Sequence, residues 1–375
     1  MLVAIDSRNP ALDDDAPGEG ECARALAEVL TEWGFRVELQ ETSKNRPNVI
    51  GRIGSTRLEG HRALLLNGHL DTVGVQGMVH APWDPVIRDG RLYGRGSADM
   101  KAGVASMCAA AVLACDAGME GEVILAAVTD EEFHSAGTLR LLKAGIRADA
   151  AIVAEPTCLA ICPAHRGFAW LDLVVHGRAA HGSRWDVGVD AIALAAMVMT
   201  ELEQYQTDSL AKKTHPLLGR PSLHASLVSG GIGLSTYPDL CRIQLERRTI
   251  PGETPELFTR EVQEACERVR TRRPELRAEV IPGVSQEPND VHAASPIVRA
   301  LEASINRLGQ SARVEGLSCW TDAALLSAAG IPAVCFGPGD IAVAHAAEEY
   351  VPVAEVERAT LIMTSVIRDW FGRGA

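Results

Sequence analysis

Leu64-Leu65-Leu66-Asn67-Gly68-His69-Leu70-Asp71-Thr72-Val73 decides the fold. Its apolar start reads as a buried strand, because a short apolar run is what a strand covered on both faces presents. The run ends in a histidine, with an aspartate two residues later. A histidine at a strand end, beside a carboxylate able to orient its ring, is a common preparation for holding a metal ion. Taken alone the His-x-Asp pair is weak, and a hydrogen-bonded surface histidine is the commoner outcome. Matching acids and another histidine at later strand ends change that reading.

Before this strand the sequence predicts a helix from Gly20 to Gly34, closed by Trp33-Gly34, then strands at Arg36–Gln40 and Asn48–Gly54. After it come a turn-rich loop, Ala81-Pro82-Trp83-Asp84-Pro85, and a short hairpin around Asp89-Gly90. Gly94-Arg95-Gly96-Ser97-Ala98-Asp99 then leads into an alanine-rich helix running to about Cys115. Lys101 lacks the spacing of a phosphate-binding loop, and no third glycine completes a dinucleotide fingerprint, so nucleotide binding is set aside. Strand Val123–Val128, helix Ala136–Ala144 and strand Ala150–Ala154 continue the alternation. The fold class is therefore α/β, with a mixed, mainly parallel sheet and helices on both faces.

From Gly167 the texture changes. Phe168–His176 alternates apolar and polar residues, a helix fits Val189–Gln204, and strands fit Leu223–Val228 and Leu240–Glu246. A helix at Pro255–Arg270 and a strand at Leu276–Ile281 complete a β-α-β-β-α-β order, the ferredoxin-like α+β pattern. We read it as an inserted domain over 167–282, dividing a catalytic domain made of 1–166 and 283–375. Helices Pro296–Leu308 and Asp322–Ala329, strand Ala333–Phe336 and helix Glu355–Phe371 resume the α/β rhythm.

A chain of 375 residues is long enough for two domains with buried cores. Its net charge of -13 argues against non-specific binding to nucleic acid or anionic membranes, which need basic surface. Nine cysteines without a CxxC pair read as reduced thiols in a cytoplasmic protein. Met1 to Pro10 is too short and polar for a signal peptide, and no apolar run approaches the ~20 residues of a membrane span.

Active sites of open α/β sheets form at the carboxyl ends of strands. His69, Asp99, Glu132, Glu155 and His345 all fall where such ends are expected, within Gly68-His69-x-Asp71, Gly96-Ser97-Ala98-Asp99-Met100-Lys101, Thr129-Asp130-Glu131-Glu132, Ala154-Glu155-Pro156-Thr157 and Ala344-His345. Two histidines and three carboxylates suit zinc, cobalt or manganese. Five ligands exceed the needs of one tetrahedral ion, and a pair of ions bridged by a carboxylate fits better. Singly, Asp99 could cap a helix, Glu155 could be a solvated loop acid, His345 a surface histidine and Glu131-Glu132 an ordinary acidic loop. Five such coincidences in order are not chance.

In these motifs the sequence resembles the dinuclear zinc deacylases and exopeptidases, a family that includes acetylornithine deacetylase, succinyl-diaminopimelate desuccinylase, aminoacylase and carboxypeptidase G. The resemblance spans nearly the whole chain and implies a zinc-exopeptidase-like fold whose insert is a lid and dimerisation domain. It implies two divalent ions, zinc foremost with cobalt or manganese possible: His69 and Glu155 on one, Glu132 and His345 on the other, Asp99 bridging. Asp71 would orient His69 from behind, and Glu131 would be the general base and acid. In the insert, His181 of Gly177-Arg178-Ala179-Ala180-His181-Gly182-Ser183 matches an oxyanion-stabilising histidine, and Arg248 of Arg247-Arg248-Thr249-Ile250-Pro251-Gly252 an arginine for a substrate carboxylate. Adjacent arginines on a strand point to opposite faces, so only one faces the cleft; Arg248 keeps the family's spacing to Pro251, while Arg247 could instead be structural. Gly337 of Gly337-Pro338-Gly339 matches a substrate loop, and Asp322 of Trp320-Thr321-Asp322-Ala323 a further motif, though it could simply cap a helix. Ser235-Thr236-Tyr237-Pro238 stands where many relatives carry an asparagine, a departure that bears on the acyl preference.

The resemblance implies a homodimeric hydrolase of small N-acyl-amino acids through the metal-activated attack of water. A dipeptidase or carboxypeptidase with the same machinery is the alternative within enzymes, and a catalytically silent binding protein on the same fold the alternative outside them.

Overall fold

A computed structural model describes residues 1–55 and 62–372. The chain divides into two units: one comprises Met1–Ala164, Val291–Leu317 and Thr321–Ala375, the other His165–Asp290 and Ser318–Trp320.

In the first unit the strand Ala63–His69 lies near the middle of a sheet, parallel to Glu122–Val128 on one side and to Ala150–Val153 on the other. Ala333–Cys335 adds in parallel beyond Ala150–Val153. Toward the margins the pairing turns antiparallel: Arg46–Gly54 beside Glu122–Val128, Arg36–Ser43 outside it, and Ile161–His165 beside Ala333–Cys335. The four central strands are thus parallel, as the α/β alternation predicts. Leu64, Leu65 and Leu66 are all fully buried, which explains an apolar run without alternation. Each such side chain contributes about 1.5–3 kcal/mol through burial.

Leu64 and Leu66 face a core built from helices Gly20–Glu32, Ala102–Asp116, Pro296–Arg307 and Val353–Phe371. The other face carries the shorter helices Ala136–Lys143 and Ala323–Ala328. Because side chains alternate along a strand, His69 falls with Leu65 and Asn67 on this second side. The stretch Ser97–Asp116 is apolar and long enough to pass as a membrane span by length and composition, contrary to the sequence expectation. It owes that character to its place in the core, where Val104, Met107, Ala110 and Ala111 are fully buried.

The second unit realises the ferredoxin-like order. Strands Ser222–Gly230, Leu240–Thr249, Gly167–His176 and Arg277–Gln286 stand side by side in that order, all antiparallel. Helices Ala191–Asp208 and Pro255–Arg272 cover one face through Leu171, Leu173, Leu194, Val198, Ile243 and Val262.

Candidate metal centre

The parallel strands deliver their carboxyl ends to one place. His69 is the last residue of its strand, Glu131 and Glu132 follow Glu122–Val128, and Glu155 follows Ala150–Val153. His69, Asp99 and Glu132 bring one donor atom each to within 4.8 Å of one another. His69 Nε2 lies 3.0 Å from Asp99 Oδ1, and His345 Nε2 lies 3.3 Å from Asp99 Oδ2 and 3.1 Å from Glu132 Oε1. Asp99 therefore offers one carboxylate oxygen to each histidine, the disposition a bridging ligand requires. Glu155 is buried at 3% exposure. It is close enough for the charge of Asp99 to act on it.

Two glycines make room for Glu155. A Cβ on Gly103 would stand 1.9 Å from the carbonyl oxygen of Ala154, and one on Gly337 would stand 2.5 Å from the carbonyl oxygens of both Ala154 and Glu155. The start of the alanine-rich helix and the Gly337 loop thus close on the backbone of this acid, a packing role for Gly337 that its motif alone does not reveal.

Asp99 does not cap the helix after it. The helix begins at Ala102, and Asp99 and Met100 have non-helical dihedrals (φ -117°, ψ 96° and φ -133°, ψ 32°), with a cis peptide bond between them. Asp322 precedes helix Ala323–Ala328 without capping it, and instead accepts a 2.6 Å hydrogen bond from Thr138 Oγ1.

Asp71 is fully buried, and its backbone carbonyl accepts from His69 Nδ1 at 2.9 Å, while its carboxylate stands at 3.6 Å. This fixes one proton on Nδ1 and directs Nε2 to Asp99 Oδ1, which accepts its hydrogen bond. The Asp71 carboxylate holds the acid loop instead: Oδ1 accepts from Glu131 N and Oδ2 from Glu132 N, each at 3.1 Å. Asn9 Nδ2 donates to Asp71 Oδ2 at 2.9 Å and to Asp130 Oδ1 at 3.0 Å. Arg46 joins Asp130 to Glu19, whose Oε1 accepts from Asp130 N at 3.1 Å. Nothing in the sequence marks Asn9, Glu19 or Arg46 for this task, since each is remote along the chain from the acids it steadies.

Electrostatics follow from crowding charge in a dry place. Burial opposes charge on His69, but the hydrogen bond to Asp99 and the charges of Asp99, Glu131 and Asp71 outweigh it and lift the imidazole well above its usual range. Hydrogen bonds to Asp99 and Glu132 raise His345 to about 10. Burial pushes Asp99 up, yet both histidines hold it below the ordinary carboxylate range. Burial and neighbouring carboxylates raise Glu131, Glu132 and Glu155. Glu131 differs from Glu132 in its direction: Oε2 lies 4.0 Å from His69 Nε2, whereas Glu132 turns to His345. A cluster of carboxylates and imidazoles whose Nε2 protons a cation would displace is a donor set for divalent cations.

In the second unit, Arg247 is buried and paired with Glu253 and Glu261, on the face of the strand opposite to Arg248. Arg248 emerges on the helix-free face with its Nε 2.8 Å from Glu246 and its guanidinium 5.6 Å above the ring of Phe168. His181 is exposed, and its Nδ1 accepts from Ser183 N at 3.2 Å, which leaves Nε2–H as its donor. Its loop is pinned by Gly182 N to Ser235 O at 2.7 Å and Tyr237 N to Ala180 O at 2.8 Å, so the departure at Ser235–Pro238 adjoins it.

The sequence profile of peptidase family M20/M25/M40 matches residues 65–369. An N-formyl-4-amino-5-aminomethyl-2-methylpyrimidine deformylase of Bacillus subtilis is 29% identical, over 93% of this chain and 88% of that protein. An acetylornithine deacetylase of Myxococcus xanthus is 30% identical, over 90% of this chain and 89% of that protein. Among solved structures, aminopeptidase PepT of Bacillus cereus superposes with a TM-score of 0.83 at 22% identity, covering 98% of this chain and 96% of that one.

Proposed function

The chain belongs to peptidase family M20/M25/M40 and is a hydrolytic enzyme for amide bonds, and from that premise we propose that it removes a small acyl group from an N-acyl-amino acid. Two divalent cations, zinc foremost with cobalt or manganese as substitutes, would sit on His69 with Glu155 and on Glu132 with His345, Asp99 between them. Bound there, they would acidify water and polarise the amide carbonyl. Glu131 takes the proton from the attacking water and returns it to the leaving amine, a task suited to a buried carboxyl raised above its ordinary range. His181 would offer its Nε2–H to the oxyanion, and Arg248 a guanidinium edge to the substrate carboxylate. Gly337 borders the substrate.

The observation that carries this reading is the split between adjacent acids. Asp71 grips the amides of both, and of their side chains one turns to His345 and the other stands apart near His69. That arrangement supports Glu132 as a ligand and Glu131 as the base.

The two curated relatives described above are named for removing formyl and acetyl groups, which favours a deacylase over the dipeptidase or carboxypeptidase alternative. Free cysteines throughout the described residues support a cytoplasmic setting. The exposed Leu227 and Val228 on the edge strand Ser222–Gly230 support a homodimer through the insert. The deciding assay offers zinc- and cobalt-loaded protein a panel of N-formyl, N-acetyl and N-succinyl amino acids beside dipeptides. Turnover of an acyl-amino acid at kcat/KM at least ~10-fold above any dipeptide is expected. The reverse order would establish the peptidase, and zinc binding without turnover of any amide would point to the silent binding protein.

A further inference from the structure

Glu349 stands four residues beyond His345 and has no part in the chemistry above. It is fully buried, and its carboxylate accepts four hydrogen bonds from one loop. Oε2 takes Arg95 Nη1 at 2.7 Å and Gly96 N at 3.0 Å; Oε1 takes Ala98 N at 2.9 Å and Asp99 N at 3.1 Å. A short antiparallel pairing brings it there. Tyr350–Pro352 runs beside Arg91–Tyr93 with Tyr350 opposite Tyr93, and Gly94 N donates to the Glu349 carbonyl at 3.3 Å.

The loop needs such a fixture. Asp99 and Met100 lie outside helical geometry just before the helix at Ala102, so several amides around them have no regular ladder to join. A carboxylate meets buried N–H groups and a guanidinium with charge-assisted bonds, about twice as strong as neutral ones. His345 meanwhile sits in an irregular loop with a positive φ of 60°.

We propose that Glu349 is the positioning residue of the metal centre. It binds the loop of Asp99 directly and holds the loop of His345 through four residues of its own chain. It thereby sets the 3.3 Å relation between His345 Nε2 and Asp99 Oδ2. This inference rests on the cation-binding reading of the cluster.

The test measures affinity for Zn2+ and Co2+ by competition with a chromogenic chelator, independently of hydrolysis. Glu349→Gln places an amide NH2 against buried donors and should weaken binding about 10–100-fold, the scale for partners that orient metal ligands. Glu349→Asp keeps the charge on a shorter arm and should lose less; if the glutamine variant does not fold, the aspartate variant decides alone. Excess Co2+ should restore kcat with KM unchanged, and weakened binding in variants whose chelated form keeps the wild-type Tm separates positioning from a folding defect. Ile305→Val, a small cavity in the same core, should lower Tm without moving affinity. Variants of Glu349 with wild-type affinity, or a loss that excess Co2+ cannot restore, would overturn the inference. Wild-type protein that binds neither cation would instead overturn the metal reading itself.

Discussion

His69 and His345 address the same carboxylate from opposite kinds of backbone. His69 ends a strand flanked by parallel neighbours on both sides, is 2% exposed, and has its ring fixed by the carbonyl of Asp71. His345 follows a short turn at Ile341–Val343, has a side chain 49% exposed, and touches Asp99 and Glu132, groups with which it would share a cation. One arm is prepared by the sheet before any ion arrives. The other depends on loops tied together at a distance, so the two arms should respond differently to the same insult.

Between the arms stand the adjacent acids, and here the largest effect is expected. Glu131→Gln should lower kcat by at least ~10²-fold, the scale of lost general acid–base catalysis, with metal content unchanged. Glu132→Gln should strip the cation from the His345 arm. Elemental analysis of both purified variants checks the pair. Metal lost from the Glu131 variant and retained in the Glu132 variant would exchange the two roles.

A smaller effect tests how the His69 arm is held. Since the carbonyl of Asp71 takes the His69 proton while its carboxylate takes Glu131 N and Glu132 N, Asp71→Asn should disturb the acids more than the imidazole. The amide can accept at one of those two N–H groups and opposes the other. We expect kcat to fall about 10-fold or somewhat more, with Zn2+ affinity changed less than kcat. A loss of affinity exceeding the loss of kcat would show that the carboxylate acts chiefly through His69.

The same contrast marks what the sequence made legible. The apolar run Leu64–Leu66 and its neighbours announce parallel strands because burial on both faces removes polar residues from them. The acids and the histidine that follow such runs can then be placed at strand ends by counting. Alternation likewise separates Arg247 from Arg248, one buried against Glu253 and Glu261, the other on the open face. Asn9 and Glu349 escape this kind of reading. Their partners Asp71 and Asp99 are 62 and 250 residues away, in segments without periodicity. A helix cap was a reasonable alternative for Asp99 and Asp322, because a local signal cannot show that a chain kinks or that Thr138 has come to meet a carboxylate.

The smallest effect concerns protein freed of metal by chelation. There Glu131, Glu132 and Glu155 are raised above their ordinary range and Asp322 to about 6; His69 is raised well above its range and His345 to about 10. Each of these groups keeps its proton in the folded state over a pH range where the unfolded chain has released it. The folded state thus binds more protons, and stability must fall as pH rises through that range. For the carboxyls the loss begins near their unfolded pKa, about 4, and for the histidines near 6.5. Asp99 has the opposite sign, but its contribution is already complete above about 4 and leaves the slope alone. We therefore expect Tm of the chelated protein to decline from pH 5.5 to 8.5, each kcal/mol lost corresponding to about 1–2 °C in a chain of this length. Zinc-loaded protein should decline less, because cations displace these protons and stabilise the deprotonated donors. The half-exposed His345 is screened by solvent and should contribute little, so His345→Gln should leave most of the slope, whereas Glu155→Gln should reduce it. A decline of equal size with and without zinc would mean that the buried cluster does not govern it. A slope abolished by His345→Gln would mean that the exposed arm, not the buried one, stores the protons.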